Sequence, residues 1–171
     1  MEITLEKLDL KHANELYKFE LENKLFYEKN WTPRPETYYI KDQFNLIMKE
    51  LIKEQQQGKC FLYLIRDDTG KLVGRMNLNA QSESKGKAAE LGYRMGENDI
   101  GKGIAGKAVG KILIIARENL QLEIITAGTA KDNIPSRKIL EKNGFILKQI
   151  TPKAFQINGK WIDDCQYEYL L

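Results

Sequence analysis

The spacing of apolar residues predicts a strand and an amphipathic helix at the beginning of the chain. Apolar and polar residues alternate from Ile3 to Leu8, which is the period of a half-buried strand. Asp9 has a side chain that can cap the next helix. Apolar residues at helical spacing then predict which face of that helix is buried, namely Leu10, Ala13, Leu16, Tyr17 and Leu21.

A second helix is expected after an irregular aromatic segment. We expect no regular structure from Leu25 to Arg34, because its aromatic residues follow neither the strand period nor the helix period. Pro35 suits the first turn of a helix, and Gly58 suits its end. The apolar stripe of this helix consists of Ile40, Phe44, Ile47, Met48 and Leu51.

The middle of the chain predicts three consecutive strands. Cys60 to Arg66 and Lys71 to Asn79 read as a hairpin around a turn at Asp67–Gly70. A polar loop from Ser82 to Lys87 leads to a fourth strand, Ala88 to Met95. A glycine-rich turn and a third helix follow this strand.

The last third of the chain completes the predicted sheet. Leu122 to Thr129 is a fifth strand, and Asn133 to Asn143 is a helix that ends at Gly144. Phe145 to Ile150 and Trp161 to Leu171 are the last two strands, joined by a turn around Asn158-Gly159. The order β-α-α-β-β-β-α-β-α-β-β contains one strand–helix–strand unit and therefore one parallel pair. We expect an α/β (α+β) fold with a mixed, mostly antiparallel seven-stranded sheet and four helices on its faces.

Composition and charge indicate one globular domain over residues 1–171. Hydrophobic residues make up 42% of the chain and charged residues 30%. The net charge of +3 is too small to predict nucleic-acid binding, which needs a clustered basic face. No apolar run approaches the ~20 residues that span a bilayer, and the first residues lack the features of a signal peptide. We therefore expect a cytoplasmic protein without a membrane partner.

The few metal-ligating residues predict no transition-metal site. Cys60 and Cys165 lie within strand-like runs and have no metal-ligand spacing. The sequence contains one histidine. We expect both cysteines to be buried or half-buried thiols in a reducing compartment.

Three glycines open the third helix and are the strongest chemical signal in the sequence. Gly101, Gly103 and Gly106 follow the fourth strand and precede an apolar run from Ala108 to Ala116. Glycine permits backbone torsions and close approaches that a Cβ would block. The amides at the start of a helix have no partner within the helix and carry partial positive charge. The turn therefore predicts a binding site for phosphate oxygens.

Several interpretations of this phosphate site are open from the residues alone. The spacing matches the Gly-x-Gly-x-x-Gly of dinucleotide sites, but the turn falls past the middle of the chain, and Glu123 begins the next strand instead of ending it. A nucleoside-triphosphate loop needs Gly-Lys-Ser/Thr, whereas Gly103 follows Lys102. A turn that serves packing alone is the third alternative.

Two blocks of sequence resemble one enzyme family. Gly101 to Ala105 resembles the Gln/Arg-x-x-Gly-x-Gly/Ala pyrophosphate loop of the GNAT superfamily of acetyl-coenzyme A dependent N-acetyltransferases, with Ile100 in the position of the Gln or Arg. Asn133 to Phe145 is similar to Asn-x-x-Ser-x-x-x-Leu-Glu-Lys-x-Gly-Phe, a signature of the branch that contains ribosomal-protein N-terminal (Rim-type) and spermidine acetyltransferases. Glu90–Tyr93 and Asn158–Asp164 also resemble this branch.

This resemblance implies how acetyl-coenzyme A binds. The fourth and fifth strands of the GNAT fold splay apart, and the pantetheine arm lies between them as an additional strand. Backbone groups of the fourth strand pair with this arm, the glycine turn binds the pyrophosphate, and the start of the fourth helix bonds the arm near the thioester. The implied cofactor-binding residues are Tyr93, Arg94, Met95, Gly101, Lys102, Gly103, Ile104, Ala105, Gly106, Asn133 and Ser136. A helix cap is the simpler explanation of Asn133.

The resemblance also implies two catalytic residues. An ammonium has no lone pair, so a proton must leave before the amine attacks the thioester. We expect Glu90 to lie near the amine and to accept this proton, directly or through water; an exposed strand residue without a role is the alternative. Many GNAT enzymes place a tyrosine acid for the leaving thiolate where this chain has Leu140, and Ser136 is the nearest substitute.

The acceptor is predicted only as a chemical class. We expect a primary amine, in the first place a protein N-terminal α-amine of the ribosomal-protein type. A polyamine or amino sugar, a non-catalytic acyl-coenzyme A-binding domain and a nucleotide-dependent oxidoreductase are the alternatives. We expect a monomer or a homodimer.

Aromatic residues near the first helices are the candidate acceptor site. Trp31, Glu36 and Tyr38, with Phe26 and Tyr27, can line a pocket for a cationic amine by cation–π contact and charge. Packing of the first two helices explains the same aromatic residues. Further candidates from the last hairpin are Trp161 and Asp163.

Overall fold

The computed structural model describes residues 2–82 and 87–171, and the strands of these residues form one seven-stranded sheet. Its order is β1-β2-β3-β4-β5-β7-β6. Within the described residues β4 and β5 are the parallel pair, which confirms the expected mixed, mostly antiparallel sheet. The strands are β1 Thr4–Lys7, β2 Cys60–Arg66, β3 Leu72–Ala80, β4 Ala88–Met95, β5 Ile124–Ala130, β6 Ile146–Ile157 and β7 Lys160–Leu170.

The helices cover both faces of the sheet and create a hydrophobic core on each. One core contains buried residues of α1, α2 and α3, and the other contains those of α4 and α5. Strand β2 serves both, because Leu62 and Leu64 face the first core while Tyr63 and Ile65 face the second. No helix of the described residues is long and apolar enough to cross a bilayer. The helices are α1 Ala13–Glu22, α2 Lys24–Asn30, α3 Lys41–Gln56, α4 Ile104–Glu118 and α5 Ile134–Lys142.

The segment expected to be irregular contains a helix, so that prediction was wrong. Helix α2 begins one residue before this segment and covers its first six residues, which makes the helix count five instead of four in the described residues. Tyr27 is 2% exposed, and its hydroxyl donates to the Met95 carbonyl of β4 at 3.1 Å. A helix of seven residues is too short to form alone. The helical conformation of this segment therefore depends on its contact with the sheet, so the spacing of its apolar residues does not predict it.

The buried face of α1 also differs from the predicted stripe. Leu10 and Leu21 are 48% and 40% exposed, whereas Phe19 and Glu20 are buried beside Leu16. The interior face includes an acidic residue, which a stripe defined by apolar residues cannot contain. Asp9 caps the 3₁₀ turn Leu10–His12, which leads directly into α1. The Asp9 side chain accepts a hydrogen bond from the Lys11 amide, as the predicted capping role requires.

Two further segments depart from the predicted boundaries. Pro35 precedes a 3₁₀ turn, Glu36–Tyr39, and the second predicted helix begins only at Lys41. Strand β6 is longer than predicted, whereas β7 has the predicted length and begins one residue earlier; the two strands meet at Asn158 and Gly159, which both have positive φ. Of the predicted loop from Ser82 to Lys87, residues 83–86 lie outside the described residues.

The parallel strands β4 and β5 separate after three residue pairs. Ala88, Ala89 and Glu90 pair with Ile124, Ile125 and Thr126, and the pairing then stops. Beyond this point β4 remains paired with β3 up to Met95, and β5 remains paired with β7 up to Ala130. Beyond this point the facing edges of β4 and β5 are not paired with each other, which leaves a gap between the two strands. The predicted splay between the fourth and fifth strands is thus confirmed.

Candidate active site

The glycine turn at the start of α4 has the geometry of an anion cradle. Gly101 and Gly103 have φ of 74° and 75°, and Gly103 is the N-cap of α4 without a side-chain cap. A Cβ at either glycine, or at Gly106, would meet no heavy atom of the described residues within 4 Å. The amides of the first turn have no acceptor within the helix, and the space beside the glycines is open. The turn therefore fits the pyrophosphate of a coenzyme A.

A buried carboxylate holds this turn against the hairpin of β2 and β3. Asp99 is buried, and its two oxygens accept hydrogen bonds from Lys71 Nζ at 3.2 Å and Lys102 Nζ at 2.8 Å. The Asp99 amide also donates to the Gly96 carbonyl at 2.9 Å. The side chain of Lys102 is thus paired with Asp99. In the predicted cofactor-binding role, Lys102 would contact the ligand through its backbone amide.

The predicted pantetheine-binding residues lie along the gap edge of β4. Tyr93, Arg94 and Met95 follow the last residue pair that joins β4 to β5. The Met95 carbonyl accepts the Tyr27 hydroxyl, which leaves its second lone pair for another donor. An unpaired strand edge of this kind can take up an extended ligand by backbone hydrogen bonds.

The start of α5 brings two hydroxyl groups together beside the gap. Asn133 caps the helix, because its Oδ1 accepts a hydrogen bond from the Ser136 amide at 3.2 Å. Ser136 Oγ lies 2.8 Å from the Tyr93 hydroxyl, and burial raises the pKa of Tyr93. Leu140 is buried, as befits the side of α5 that faces the core. Sequence reasoning assigned Tyr93 a backbone role only and missed its side chain.

Glu90 lies in the last residue pair before the gap. It is exposed and pairs with Thr126, whose Oγ1 accepts a hydrogen bond from Gln81 Nε2 at 2.9 Å. Alternate residues of β4 face opposite sides of the sheet. Because Leu91 and Met95 belong to the core with α4, Glu90 faces the side of α1 to α3. The carboxylate therefore stands where the strands part, on the face opposite the glycine turn.

The same face carries a cluster of three arginines around one fully buried carboxylate. We call Arg34, Arg75 and Arg94 the arginine cluster. Glu20 has 0% side-chain exposure, and its Oε1 accepts a hydrogen bond from Arg75 Nη1 at 3.0 Å. Arg34 Nε lies 3.9 Å from Glu20 Oε2. Sequence reasoning missed the cluster, because its members are far apart along the chain.

Aromatic rings form the wall of the arginine cluster. The Arg34 guanidinium lies 4.2 Å from the centroid of the Tyr38 ring. The Arg94 guanidinium lies 5.1 Å from the Tyr27 ring and 5.9 Å from the Trp31 ring. The faces of these rings are thus already occupied by cations of the protein itself.

The structure brings only part of the predicted acceptor pocket together. Trp31 and Tyr38 join the arginine cluster, whereas Glu36 is 81% exposed and pairs with Lys24 Nζ at 2.9 Å. Glu36 is therefore paired outside the arginine cluster, and an acceptor pocket that combines it with these rings stays a prediction. Of the further candidates, Trp161 is exposed and Asp163 pairs with Lys131 at 3.2 Å.

Comparison with known proteins assigns the chain to one family. The profile of the acetyltransferase (GNAT) domain matches residues 2–146. YjcK, a probable N-acetyltransferase of Bacillus subtilis (strain 168), is 29% identical over 164 residues, which cover 94% of this chain and 90% of that protein.

Two solved structures with bound coenzyme A are similar over nearly the whole chain. The RimL ribosomal L7/L12 alpha-N-protein acetyltransferase in complex with coenzyme A has a TM-score of 0.88 at 21% identity, over 99% of this chain and 94% of that one. The microcin C7 self-immunity acetyltransferase MccE, in complex with acetyl-CoA and AMP, has a TM-score of 0.86 at 25% identity, over 99% and 93%.

The family match, the splayed strands and the glycine cradle point to the same cofactor. The family profile covers most of the chain, and the structurally similar enzymes bind coenzyme A or acetyl-CoA. The gap between β4 and β5 and the open amides of α4 provide matching places for an extended arm and a pyrophosphate. The chain therefore belongs to the GNAT acetyltransferase family and is an N-acetyltransferase that uses acetyl-coenzyme A.

Proposed function

We propose that this N-acetyltransferase acetylates the α-amine of a protein N-terminus. The observation that carries the proposal is the position of Glu90, an exposed carboxylate in the last residue pair before β4 and β5 separate. A carboxylate at this place can accept a proton from an incoming amine. An α-amine has a pKa of about 7.7–8.0, so part of it is already neutral at pH 7. A lysine-type amine, with a pKa of about 10.4, demands a stronger base.

The charge on the acceptor side supports an α-amine over a polyamine. The arginine cluster has three positive charges against the single negative charge of Glu20. A polycation such as spermidine would be repelled by this excess of positive charge. The RimL structure, which is similar in fold, is described as an alpha-N-protein acetyltransferase.

The cofactor would be held by backbone groups. When bound, acetyl-coenzyme A supplies the acetyl group as a thioester that a neutral amine can attack, with release of a thiolate. The amides of Gly103, Ile104, Ala105 and Gly106 would hold the pyrophosphate. The free edges of β4 and β5 would hold the pantetheine arm, and the capped start of α5 would lie beside it.

Two side-chain groups would move protons. Glu90 would accept a proton from the incoming ammonium, directly or through a water molecule, because it is the carboxylate at the point where the gap begins. Ser136 would donate the proton that the leaving thiolate requires, and its hydrogen bond with Tyr93 would position its Oγ. A coenzyme A thiolate is a fair leaving group, so a hydroxyl acid is sufficient.

An acceptor panel tests the proposal. Thiol release is followed with a peptide that has a free N-terminus, the same peptide with its N-terminus blocked and one lysine retained, spermidine and glucosamine. We expect turnover with the free peptide alone, with the acetyl group located on the α-nitrogen by mass spectrometry. Turnover confined to spermidine or glucosamine would contradict the proposal, and no turnover with any amine would indicate a non-catalytic acyl-coenzyme A-binding domain.

A further inference from the structure

The arginine cluster carries more positive charge than its own partners neutralise. Glu20 is the carboxylate within 4.0 Å of Arg75 and Arg34 in the described residues. The Arg94 guanidinium makes no ion pair or hydrogen bond with any residue that the structure describes and lies over two aromatic rings instead. The nearby Lys24 is paired with carboxylates of its own. Within the arginine cluster, two positive charges therefore remain without a paired carboxylate in the described residues.

Two buried polar atoms of the cluster are also unsatisfied. Glu20 Oε2 and Arg34 Nε have no hydrogen-bond partner in the part of the chain that the structure describes, although they lie 3.9 Å apart. Buried donors and acceptors normally have partners, because leaving them unpaired costs free energy. Burial lowers the pKa of Arg94, and the charges of Arg34 and Arg75 lower it further. An anion near Arg34 and Arg94 would pair with their donors and relieve this repulsion.

A structural role is clearest for Arg75. The hydrogen bond between Arg75 and Glu20 joins β3 to α1 and anchors the helix on the sheet. Arg94 contributes no such link, and an apolar residue could cover the same rings without desolvating a charge. Arg34 is partly exposed and accessible from the surface. A ligand is therefore the simplest explanation for the second and third positive charges.

Arg94 lies on the same face of β4 as Glu90. Gly92 lies between them on this face, and the Asn77 side chain of β3 covers it, with Oδ1 at 3.1 Å from the place of a Cβ. Four residues of a strand span about 13 Å between Cα atoms, and both side chains are long. An extended peptide advances ~3.3–3.6 Å per residue. An acceptor with its amine at Glu90 would thus bring one of its next few residues to Arg94.

We infer that the acceptor carries a carboxylate or phosphate a few bonds from the reacting amine, and that Arg34 and Arg94 bind this anion. A guanidinium presents parallel N–H donors that match the oxygens of either group. The inference rests on the proposed function, because it assumes that the amine lies at Glu90. An acidic side chain early in a protein N-terminal segment would supply the anion, and so would a small amine with its own carboxylate or phosphate.

Steady-state kinetics with paired acceptors tests the inference. One pair is a peptide beginning Ser-Asp-Glu and the same peptide beginning Ser-Asn-Gln, and the other is phosphoethanolamine and ethanolamine. We expect kcat/KM to be at least about tenfold higher for the anionic member of one pair. Arg94→Gln and Arg34→Gln should abolish this preference by raising KM for the anionic acceptor. Arg94→Lys should retain part of it, and Arg117→Gln, at an exposed position of α4, should leave it unchanged.

The outcomes separate this inference from the proposed function. If kcat/KM is higher for phosphoethanolamine than for ethanolamine but equal for the two peptides, the anion site is supported and a protein acceptor is contradicted. Equal rates within both pairs, or an equal loss on anionic and neutral acceptors in Arg94→Gln, would overturn the anion site. If no acceptor reacts, calorimetric titration of the two peptides into the protein with coenzyme A decides, and equal affinities would also overturn it. If Arg94→Gln does not fold, the same comparison is made with Arg34→Gln, whose side chain is partly exposed.

Discussion

The hydroxyl groups of Tyr93 and Ser136 lie 2.8 Å apart, one on β4 and the other in the first turn of α5. The two elements face each other beside the gap where β4 and β5 separate. The side chain of Leu140, at the position where many GNAT enzymes carry a tyrosine acid, is buried in the core. In this chain a tyrosine thus approaches from the strand instead of from the helix.

This pair of hydroxyls predicts coupled effects on catalysis. Tyr93→Phe and Ser136→Ala should each lower kcat by roughly tenfold, or ~1.4 kcal/mol of transition-state free energy. Because the two groups share one hydrogen bond, the double variant should lose little more than either single variant. A double-mutant cycle on kcat, with the Kd for acetyl-coenzyme A measured alongside, checks this. Additive losses would show that the two hydroxyls act independently.

Glu90→Gln should lower the acetylation rate most at low pH. The amine deprotonates unaided as the pH rises, so a base at Glu90 contributes less there. At pH 6.5 the loss should be about 10²-fold, the low end of general-base catalysis, and it should shrink above the α-amine pKa of about 8. A pH–rate profile on one acceptor peptide measures this, with Glu118→Gln at an exposed position as the control. Superimposed profiles of Glu90→Gln and the unmodified enzyme would reject Glu90 as the base.

Gly103→Val should weaken cofactor binding beyond its effect on stability. Gly103 has φ of 75° at the start of α4, and valine would both strain this conformation and fill the anion cradle. The affinity for acetyl-coenzyme A should fall at least tenfold, or ~1.4 kcal/mol. Gly58→Val is the matched control, because Gly58 has φ of 70° and equally open surroundings at the end of α3. Calorimetric titration should find normal affinity for the control, and normal affinity in Gly103→Val would make the turn purely structural.

Glu6 should make the stability of the fold depend on acid pH. Its carboxylate on β1 accepts a hydrogen bond from Arg66 Nε at 2.6 Å, which, with a further bond to His12, lowers the pKa of Glu6 from 4.5 to about 2. The folded pKa lies below the unfolded value. The stabilisation is therefore complete above pH 4.5 and is lost as the pH falls toward 2. Glu6→Gln should lower Tm at pH 7 and flatten the decline of Tm between pH 5 and pH 3.

Thermal unfolding monitored by circular dichroism across this pH range measures the effect. Glu118→Gln removes a carboxylate at the exposed end of α4 and should leave the pH dependence of Tm unchanged. Arg66 also pairs bidentately with Glu15 of α1, so part of the link between β2 and α1 remains in Glu6→Gln. A parallel decline of Tm in Glu6→Gln and in the unmodified protein would contradict the prediction.

Features set by neighbouring residues could be predicted from the sequence alone. The limits of β2, Cys60–Arg66, and of β4, Ala88–Met95, agree with the apolar patterns that predicted them. The positive φ of Gly101 and Gly103 and the capping of α5 by Asn133 were equally predictable. Each depends on backbone sterics or on hydrogen bonds within a few residues, and the chain carries that information locally.

The acceptor side of the site was decided by tertiary structure. Glu20, Arg34, Arg75 and Arg94 come from four separate segments and meet only when α1 and the segment after α2 pack on β3 and β4. An apolar period cannot predict that a charged residue is buried, because its burial depends on a distant partner that offsets its desolvation. The same holds for the contact between Tyr93 and Ser136, which are 43 residues apart along the chain. The sequence alone therefore determined most of the strands and the glycine turn, whereas long-range charge pairing determined the arginine cluster.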